Sequence, residues 1–253
     1  MVHIGALPGT PTNNLSIKDL TIQALREASI YENEGLDAII IENMHDRPYL
    51  NKKAGPEIVA ALSRICCEIK KEIKIPIGIQ ILAGANKEAL AVAHACDLDF
   101  IRAEGFVFSH IADEGMMNSD AGELLRYRKK IGAENIKIFT DIKKKHSSHL
   151  ITEDISLVET AKAAEFFLSD GLIVSGTSTG VATRIEDVRA VKENSTLPVI
   201  VGSGVNTDNI VILWNYTDAF IVGSSLKYDG KWENGVDRKR VKNFVNCIKK
   251  LNQ

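Results

Sequence analysis

The chain has 253 residues and almost balanced charge, with 31 Lys and Arg against 33 Asp and Glu and a pI near 6.3. Its 45% hydrophobic and 25% charged residues are ordinary for a globular protein, and they exclude a disordered chain, a collagen and a disulfide mini-protein. Without a strong positive field or an apolar run of about 18 residues, we expect no nucleic-acid partner and no membrane span.

Short apolar runs alternate with amphipathic helical periods along the whole chain. The predicted strands are residues 2–6, 37–42, 75–82, 100–104, 136–142, 171–175, 197–201 and 219–222. The predicted helices are residues 16–34, 56–73, 87–96, 119–131, 152–168, 185–194, 207–214 and 237–251. Several strands are apolar at successive positions, as expected for a parallel sheet that is buried on both faces. Eight strand–helix units predict an α/β fold, a single (β/α)₈ barrel over residues 1–253, with an open doubly wound sheet as the alternative.

The four cysteines, Cys66, Cys67, Cys96 and Cys247, form no C-x-x-C motif, and three lie in helical periods. We expect them to be reduced thiols in a reducing compartment. The first residues lack the pattern of a signal or transit peptide, so the expected location is cytoplasmic.

The strongest local motif is a pair of Gly-Ser turns that follow the last two predicted strands. The residues are Gly202, Ser203 and Gly204 after the seventh strand, and Gly223, Ser224 and Ser225 after the eighth. Glycine allows close approach of the backbone to an anion, and this end of a barrel commonly binds phosphate. We therefore predict a phosphate site there, with two plain tight turns as the alternative.

Ionisable side chains follow several other strands at the same end of the barrel. We expect Glu42 and Asp141 to be the catalytic acid–base pair, because carboxylates in a partly dry site can exchange protons with a substrate. Lys145 is expected to stabilise negative charge. No cofactor is predicted, although Mg²⁺ bound by Glu42 and Asp141 is an alternative.

A second group of polar residues is expected to orient the substrate: His3, Asn43, Arg102 and Glu104. For some positions a structural role is equally open, since Glu104 could pair with Arg102 and His3 could be a core histidine. Lys143 and Lys144 are interpreted as a solvated charge run. The irregular residues 105–118 are interpreted as a functional loop.

These motifs resemble the BtpA/SgcQ family. The matching segments are Val2–Gly9, Ile41–Asn43, Phe100–Arg102, Lys145–Ser147, residues 176–180, Val201–Val205, and Val222–Ser224 with Lys227. The resemblance implies a TIM barrel of the ribulose-phosphate-binding type. This chain departs from the pattern of many relatives after the third strand, where it has Gln80 and residues 82–85 and they carry Asn and then Leu-Arg-Asn-Asp. Its substrate or chemistry could therefore differ from that of those relatives.

The resemblance also implies two alternative functions. One member is associated with photosystem I biogenesis, and others are described as predicted barrel enzymes or nucleosidases. We expect an enzyme that acts on a small phosphorylated sugar or nucleoside-type metabolite by glycosidic cleavage or isomerisation, with a non-catalytic assembly factor as the alternative. A homo-oligomer is expected, and a mitochondrial location is the alternative if a longer precursor exists.

Overall fold

Strands and helices alternate throughout the computed structural model, which describes residues 1–176 and 182–251. The strands are β1 (Val2–His3), β2 (Ile39–Glu42), β3 (Ile77–Gln80), β4 (Phe100–Ala103), β5 (His110–Ala112), β6 (Gly115–Met117), β7 (Lys137–Ile142), β8 (Ser147–Ser148), β9 (Gly171–Val174), β10 (Val199–Val201) and β11 (Ala219–Phe220). The helices are α1 (Ile17–Glu34), α2 (Pro56–Glu72), α3 (Asn86–Ala95), α4 (Ala121–Lys130), α5 (Leu157–Phe166), α6 (Ile185–Asn194), α7 (Ile210–Leu213) and α8 (Arg238–Leu251). None of these described helices is both long and apolar enough to cross a membrane.

Eight of the strands form one curled parallel sheet in the order β1-β2-β3-β4-β7-β9-β10-β11. This order follows the chain without reversal, whereas a doubly wound sheet reverses direction at a switch point. The ends of the sheet meet where the Met1 amino nitrogen donates to the carbonyl of Val222 at 2.9 Å. The predicted (β/α)₈ barrel is confirmed, and the open sheet is excluded.

Helix boundaries follow local capping chemistry. Ser16 caps α1 by accepting a hydrogen bond from the Asp19 amide, and Gly35 ends the helix with a left-handed φ of 92°. The fifth helix, predicted from residue 152, begins at Leu157, because Ser156 and Glu159 form a capping box there. A short 3₁₀ turn occupies Leu150–Thr152 instead.

The segment 105–118, predicted as irregular, contains an antiparallel hairpin. β5 pairs with β6 on one side and with β8 on the other. The Asn51 side-chain amide donates to the carbonyls of Glu114 and Met116, which anchors the hairpin to the loop after β2. Strands of two or three residues are too short to show an alternation in the sequence.

The prediction that all four cysteines are reduced is wrong for two of them. Cys67 on α2 and Cys96 at the end of α3 form a disulfide with a Cα–Cα separation of 4.9 Å, whereas Cys66 and Cys247 are free. The packing of α2 against α3 brings the pair within bridging range, and sequence spacing does not reveal that packing.

Candidate functional site

The two Gly-Ser turns lie together at the carboxyl ends of the barrel strands. They line one small cavity of about 50 Å³ with His3, Glu42, Arg102 and Lys145. The Ser225 hydroxyl donates to the carbonyl of Val205 at 2.7 Å, which joins the second turn to the first. The structure thus brings together two segments that are about 20 residues apart in the sequence.

Several backbone amides of these cavity-lining turns are not used in the sheet. The Gly202 amide continues the sheet by donating to Val174, but Gly204 leaves it with a left-handed φ of 62°. Among the residues that the structure describes, no protein acceptor takes the amide hydrogens of Gly204, Gly223 or Ser224. Clustered amides of this kind suit an anion.

A buried ion pair lies beside this cavity. The Nε and Nη2 atoms of Arg102 donate to the two carboxylate oxygens of Asp141 at 2.7 and 2.8 Å, and the side chains are only 4% and 1% exposed. Although burial opposes the charge of Arg102, Asp141 raises the pKa of the guanidinium above its ordinary value. Because both its oxygens are occupied, Asp141 holds Arg102 in place.

Glu42 and Lys145 have pKa values shifted in opposite directions. Burial raises the pKa of Glu42, although Arg102 and Lys145 oppose the shift. Burial, followed by repulsion from Arg102, lowers the pKa of Lys145. Each group is thereby moved towards neutral pH, where it can exchange a proton.

The ring of His3 lies between the carbonyl of Trp232 and the carboxyl group of Glu42. Burial lowers the pKa of His3 well below its ordinary value, so the ring is neutral. Its Nδ1 lies 3.0 Å from the carbonyl of Trp232, which can only accept, so Nδ1 carries the hydrogen. The unprotonated Nε2 then lies 3.5 Å from Oε2 of Glu42.

A wider cavity of about 230 Å³ adjoins the small one, because Glu42, Arg102 and Lys145 line both. Its far wall contains Glu104, whose Oε1 accepts a hydrogen bond from Gln80 at 3.0 Å. The Gly-Ser turns and the roomier cavity thus lie on either side of a boundary that contains three ionisable side chains.

The predicted solvation of Lys144 is wrong. Lys144 is 7% exposed and its Nζ lies 3.3 Å from Glu104 and 3.6 Å from Glu114. Burial opposes its charge, but the two glutamates together raise its pKa above the ordinary value. The partner of Arg102 is Asp141, and Glu104 is instead bonded to Gln80 and Lys144.

Asn43 does not line either of these cavities. Its side-chain amide donates to Asp46, and its oxygen accepts from the Leu82 amide at 2.7 Å. Both ends of this buried side chain are therefore used to join the loops after β2 and β3. The remaining substrate-orienting candidates, His3, Arg102 and Glu104, do lie on the cavity walls.

Some cavity residues were missed by the sequence reasoning. Trp232, from the loop after β11, lines the wider cavity and packs against His45 at 5.1 Å and Arg47 at 4.9 Å. Nothing in its charged, loop-like surroundings indicated this position. Gln80, in contrast, ends β3 and follows the same strand-end rule that selected Glu42.

The alternative of a metal site gains no support from the described residues. Within residues 1–176 and 182–251, no group of three or more His, Cys, Asp or Glu side chains is arranged to hold an ion. Asp141, one of the two candidate ligands, is bonded through both oxygens to Arg102. Most of the glycine- and threonine-rich segment 176–180 lies outside the described residues.

Comparisons with known proteins agree with this architecture. The BtpA family model matches residues 1–250. An uncharacterised mitochondrial protein of Caenorhabditis elegans is 46% identical, covering 99% of this chain and 92% of that protein. The photosystem I biogenesis protein BtpA of Synechocystis is 31% identical, covering 98% and 86%.

Solved structures support the fold. The orotidine 5'-monophosphate decarboxylase of Methanocaldococcus jannaschii with inhibitor BMP has a TM-score of 0.62 at 18% identity, covering 92% of this chain and 94% of that one. The thiamine phosphate pyrophosphorylase of Pyrococcus furiosus has a TM-score of 0.59 at 16% identity, covering 90% and 91%. At such low identity these likenesses show the TIM-barrel fold alone.

Proposed function

The chain belongs to the BtpA family, and we propose that it is an enzyme acting on a small phosphorylated sugar or nucleoside-type metabolite. The observation that carries the proposal is that the small cavity at the Gly-Ser turns adjoins a wider cavity, with Glu42, Arg102 and Lys145 in the walls of both. The phosphate would bind the amides of the two Gly-Ser turns, and the rest of the molecule would extend past Glu42 and Lys145.

The proposed chemistry is proton transfer by Glu42. The raised pKa of its carboxyl group suits a group that donates a proton and takes one back. Lys145, held near Arg102, stabilises negative charge that develops on a substrate oxygen. Since Asp141 is committed to Arg102, a mechanism with Glu42 and Asp141 as two free carboxylates is disfavoured, and we assign Asp141 a positioning role.

Isomerisation of a phosphorylated sugar fits this single acid–base group. The Glu42 carboxylate would remove the proton from the carbon beside the carbonyl and return it to the former carbonyl carbon, while the proton of the neighbouring hydroxyl passes to the former carbonyl oxygen. Lys145 would lie close to the oxygen that gains charge in between. His3, Gln80 and Glu104 supply polar groups that could orient hydroxyls along the cavity. A glycosidic cleavage would need a second carboxylate to replace Asp141.

Thermal shift with matched ligands tests the phosphate proposal. Ribose 5-phosphate should raise the melting temperature more than ribose, because a ligand at 100 times its Kd adds about 2.7 kcal/mol to stability. Ser224→Asp should abolish this gain by repelling the phosphate. Ser119→Asp, an exposed serine outside both cavities, is the control. Equal stabilisation by ribose would contradict the proposal.

The alternative function is a binding platform without catalysis, which the printed name of the Synechocystis relative favours. The two functions differ in their need for Glu42. If cells that depend on the protein tolerate Glu42→Gln with the fold intact, the platform is supported; if they require Glu42, the enzyme is supported.

We also propose self-association and a cytoplasmic location. Phe166, Phe167 and Leu168 are 81%, 45% and 68% exposed, and such a patch favours contact with another copy. Sedimentation of Phe166→Ser tests the association. The name of the Caenorhabditis elegans relative favours the mitochondrial alternative, which fractionation of cells would distinguish.

A further inference from the structure

A further cavity, here called the barrel-floor cavity, lies at the opposite end of the barrel from the Gly-Ser turns. Its volume is about 600 Å³, within the range of small-molecule sites. Its mouth includes Asp37 and Ala38, which precede β2, and Thr217 and Asp218, which precede β11. The cavity therefore opens at the amino ends of the strands.

The inner part of this cavity is the barrel interior itself. Ile40, Phe100 and Ile200 line it, and they stand two residues before Glu42, Arg102 and Gly202 on the same strands. Side chains two apart on a strand point to the same face, so these residues point inward. Because the space is enclosed by strands, a small molecule can enter it and a protein surface cannot.

Glycines hold two aromatic rings against the barrel wall. A Cβ at Gly78 would lie 2.2 Å from the ring of Phe100, and one at Gly171 would lie 2.8 Å from the ring of Phe139. The rings therefore occupy the places where side chains of the neighbouring strands would be. In a typical TIM barrel such inward side chains fill the interior, whereas here Phe100 and Phe139 are only half-buried.

The lining sets the chemistry of an occupant. Trp214, Phe220 and Phe244 continue the aromatic surface outward from the strands. At the inner end, Arg102 is already neutralised by Asp141, so among the described lining residues no side chain offers an unpaired positive charge to an anion. At the mouth, Asp218 is paired with Lys192, and Asp37 further disfavours anions.

We propose that this barrel-floor cavity binds a neutral aromatic molecule of one or two rings. The site is distinct from the small cavity at the Gly-Ser turns, and the two cavities meet at Met1, Arg102 and Ile221, which line both. The proposal does not depend on the proposed enzymatic function.

The two tryptophans of the chain lie in different cavities, since Trp214 lines the barrel-floor cavity and Trp232 lines the wider cavity of about 230 Å³. Their fluorescence therefore reports which of the two cavities a quencher enters. Trp232→Phe leaves Trp214 as the single reporter, and Trp214→Phe leaves Trp232. Bromobenzene, a neutral heavy-atom quencher, is titrated into each variant. We expect saturable quenching of Trp214 and only linear, collisional quenching of Trp232.

Blocked variants identify the cavity. In the Trp232→Phe protein, Ala219→Phe places a ring at an exposed lining position and should weaken bromobenzene binding by about tenfold or more. Ala60→Phe, at an exposed position on α2, is the matched control and should change nothing. Ile173→Phe fills the inner part and provides a second blocked variant if the first does not fold.

Inorganic phosphate separates this site from the phosphate turns. Adding it should leave the saturable quenching of Trp214 unchanged. Linear quenching of Trp214, or saturable quenching that the folded blocked variants retain, would overturn the proposal. Competition by inorganic phosphate would also overturn it, because the bromobenzene would then be binding at the Gly-Ser turns.

Discussion

Replacing Arg102 by Met is expected to destabilise the protein strongly. The substitution keeps much of the side-chain volume but leaves the carboxylate of Asp141 at 1% exposure without its cation. Breaking a buried pair by removing one partner typically costs about 3–5 kcal/mol, because the remaining charge is uncompensated. For a chain of this size each kcal/mol lowers the melting temperature by about 2–4 °C, so we expect a decrease of roughly 6–20 °C.

The exposed pair Arg189–Glu193 provides a matched control. Its Nε–O distance is 2.7 Å, the same as in the Arg102–Asp141 pair, but its side chains are 60% and 56% exposed. Arg189→Met should change the free energy of unfolding very little, since water screens a surface pair. The two substitutions change the same residue type and differ mainly in burial.

Urea denaturation followed by circular dichroism measures both free energies of unfolding. The double variant Arg102→Met with Asp141→Asn should recover part of the loss, because no buried charge is left unpaired. If Arg102→Met costs no more than Arg189→Met, the assignment of a tightly bonded, desolvated pair is refuted.

Three further predictions concern the end of the barrel that carries the Gly-Ser turns. Glu42→Gln should lower turnover by about 10²–10⁴-fold. Because burial raises the pKa of Glu42, the substitution should also raise the free energy of unfolding at pH 7; this gain should shrink as pH falls through the raised pKa and be absent below the ordinary value of 4.5. Lys145→Met should reduce kcat with the phosphate-dependent thermal shift retained, and equal loss of both would contradict its charge-stabilising role. Gly204→Ala, at a φ of 62°, should cost roughly 1 kcal/mol and weaken phosphate binding, whereas Gly132→Ala, at a φ of 72°, should cost stability alone.

The sequence predicted which polar residues lie at the carboxyl ends of the barrel strands more accurately than it predicted which of them would interact. Arg102 and Glu104 lie two residues apart, so pairing between them was an open alternative. In the structure β4 and β7 are neighbours, with Arg102 opposite Phe139, and this register brings Asp141 to Arg102. Sequence periodicity contains no information on the register between strands that are 39 residues apart.

Burial of charge was equally inaccessible to the sequence. The run Lys143–Lys145 resembles a solvated surface, yet Lys144 is buried because Glu104 and the hairpin residue Glu114 converge on it. Glu104 and Glu114 are at least 30 residues from Lys144 in the chain, and nothing in the sequence indicates that they lie beside it. The hairpin strands are also too short to be recognised by alternation.

By itself, the amino-acid sequence determined the barrel and the end of it that carries the polar groups. Apolar strands, helical periods and capping residues are local properties, and parallel connectivity then places every strand end on one face. Tertiary structure alone decided the Arg102–Asp141 pair, the disulfide, the burial of Lys144 and the open barrel floor. Each of these depends on distances between segments remote in the chain, which only the packed molecule fixes.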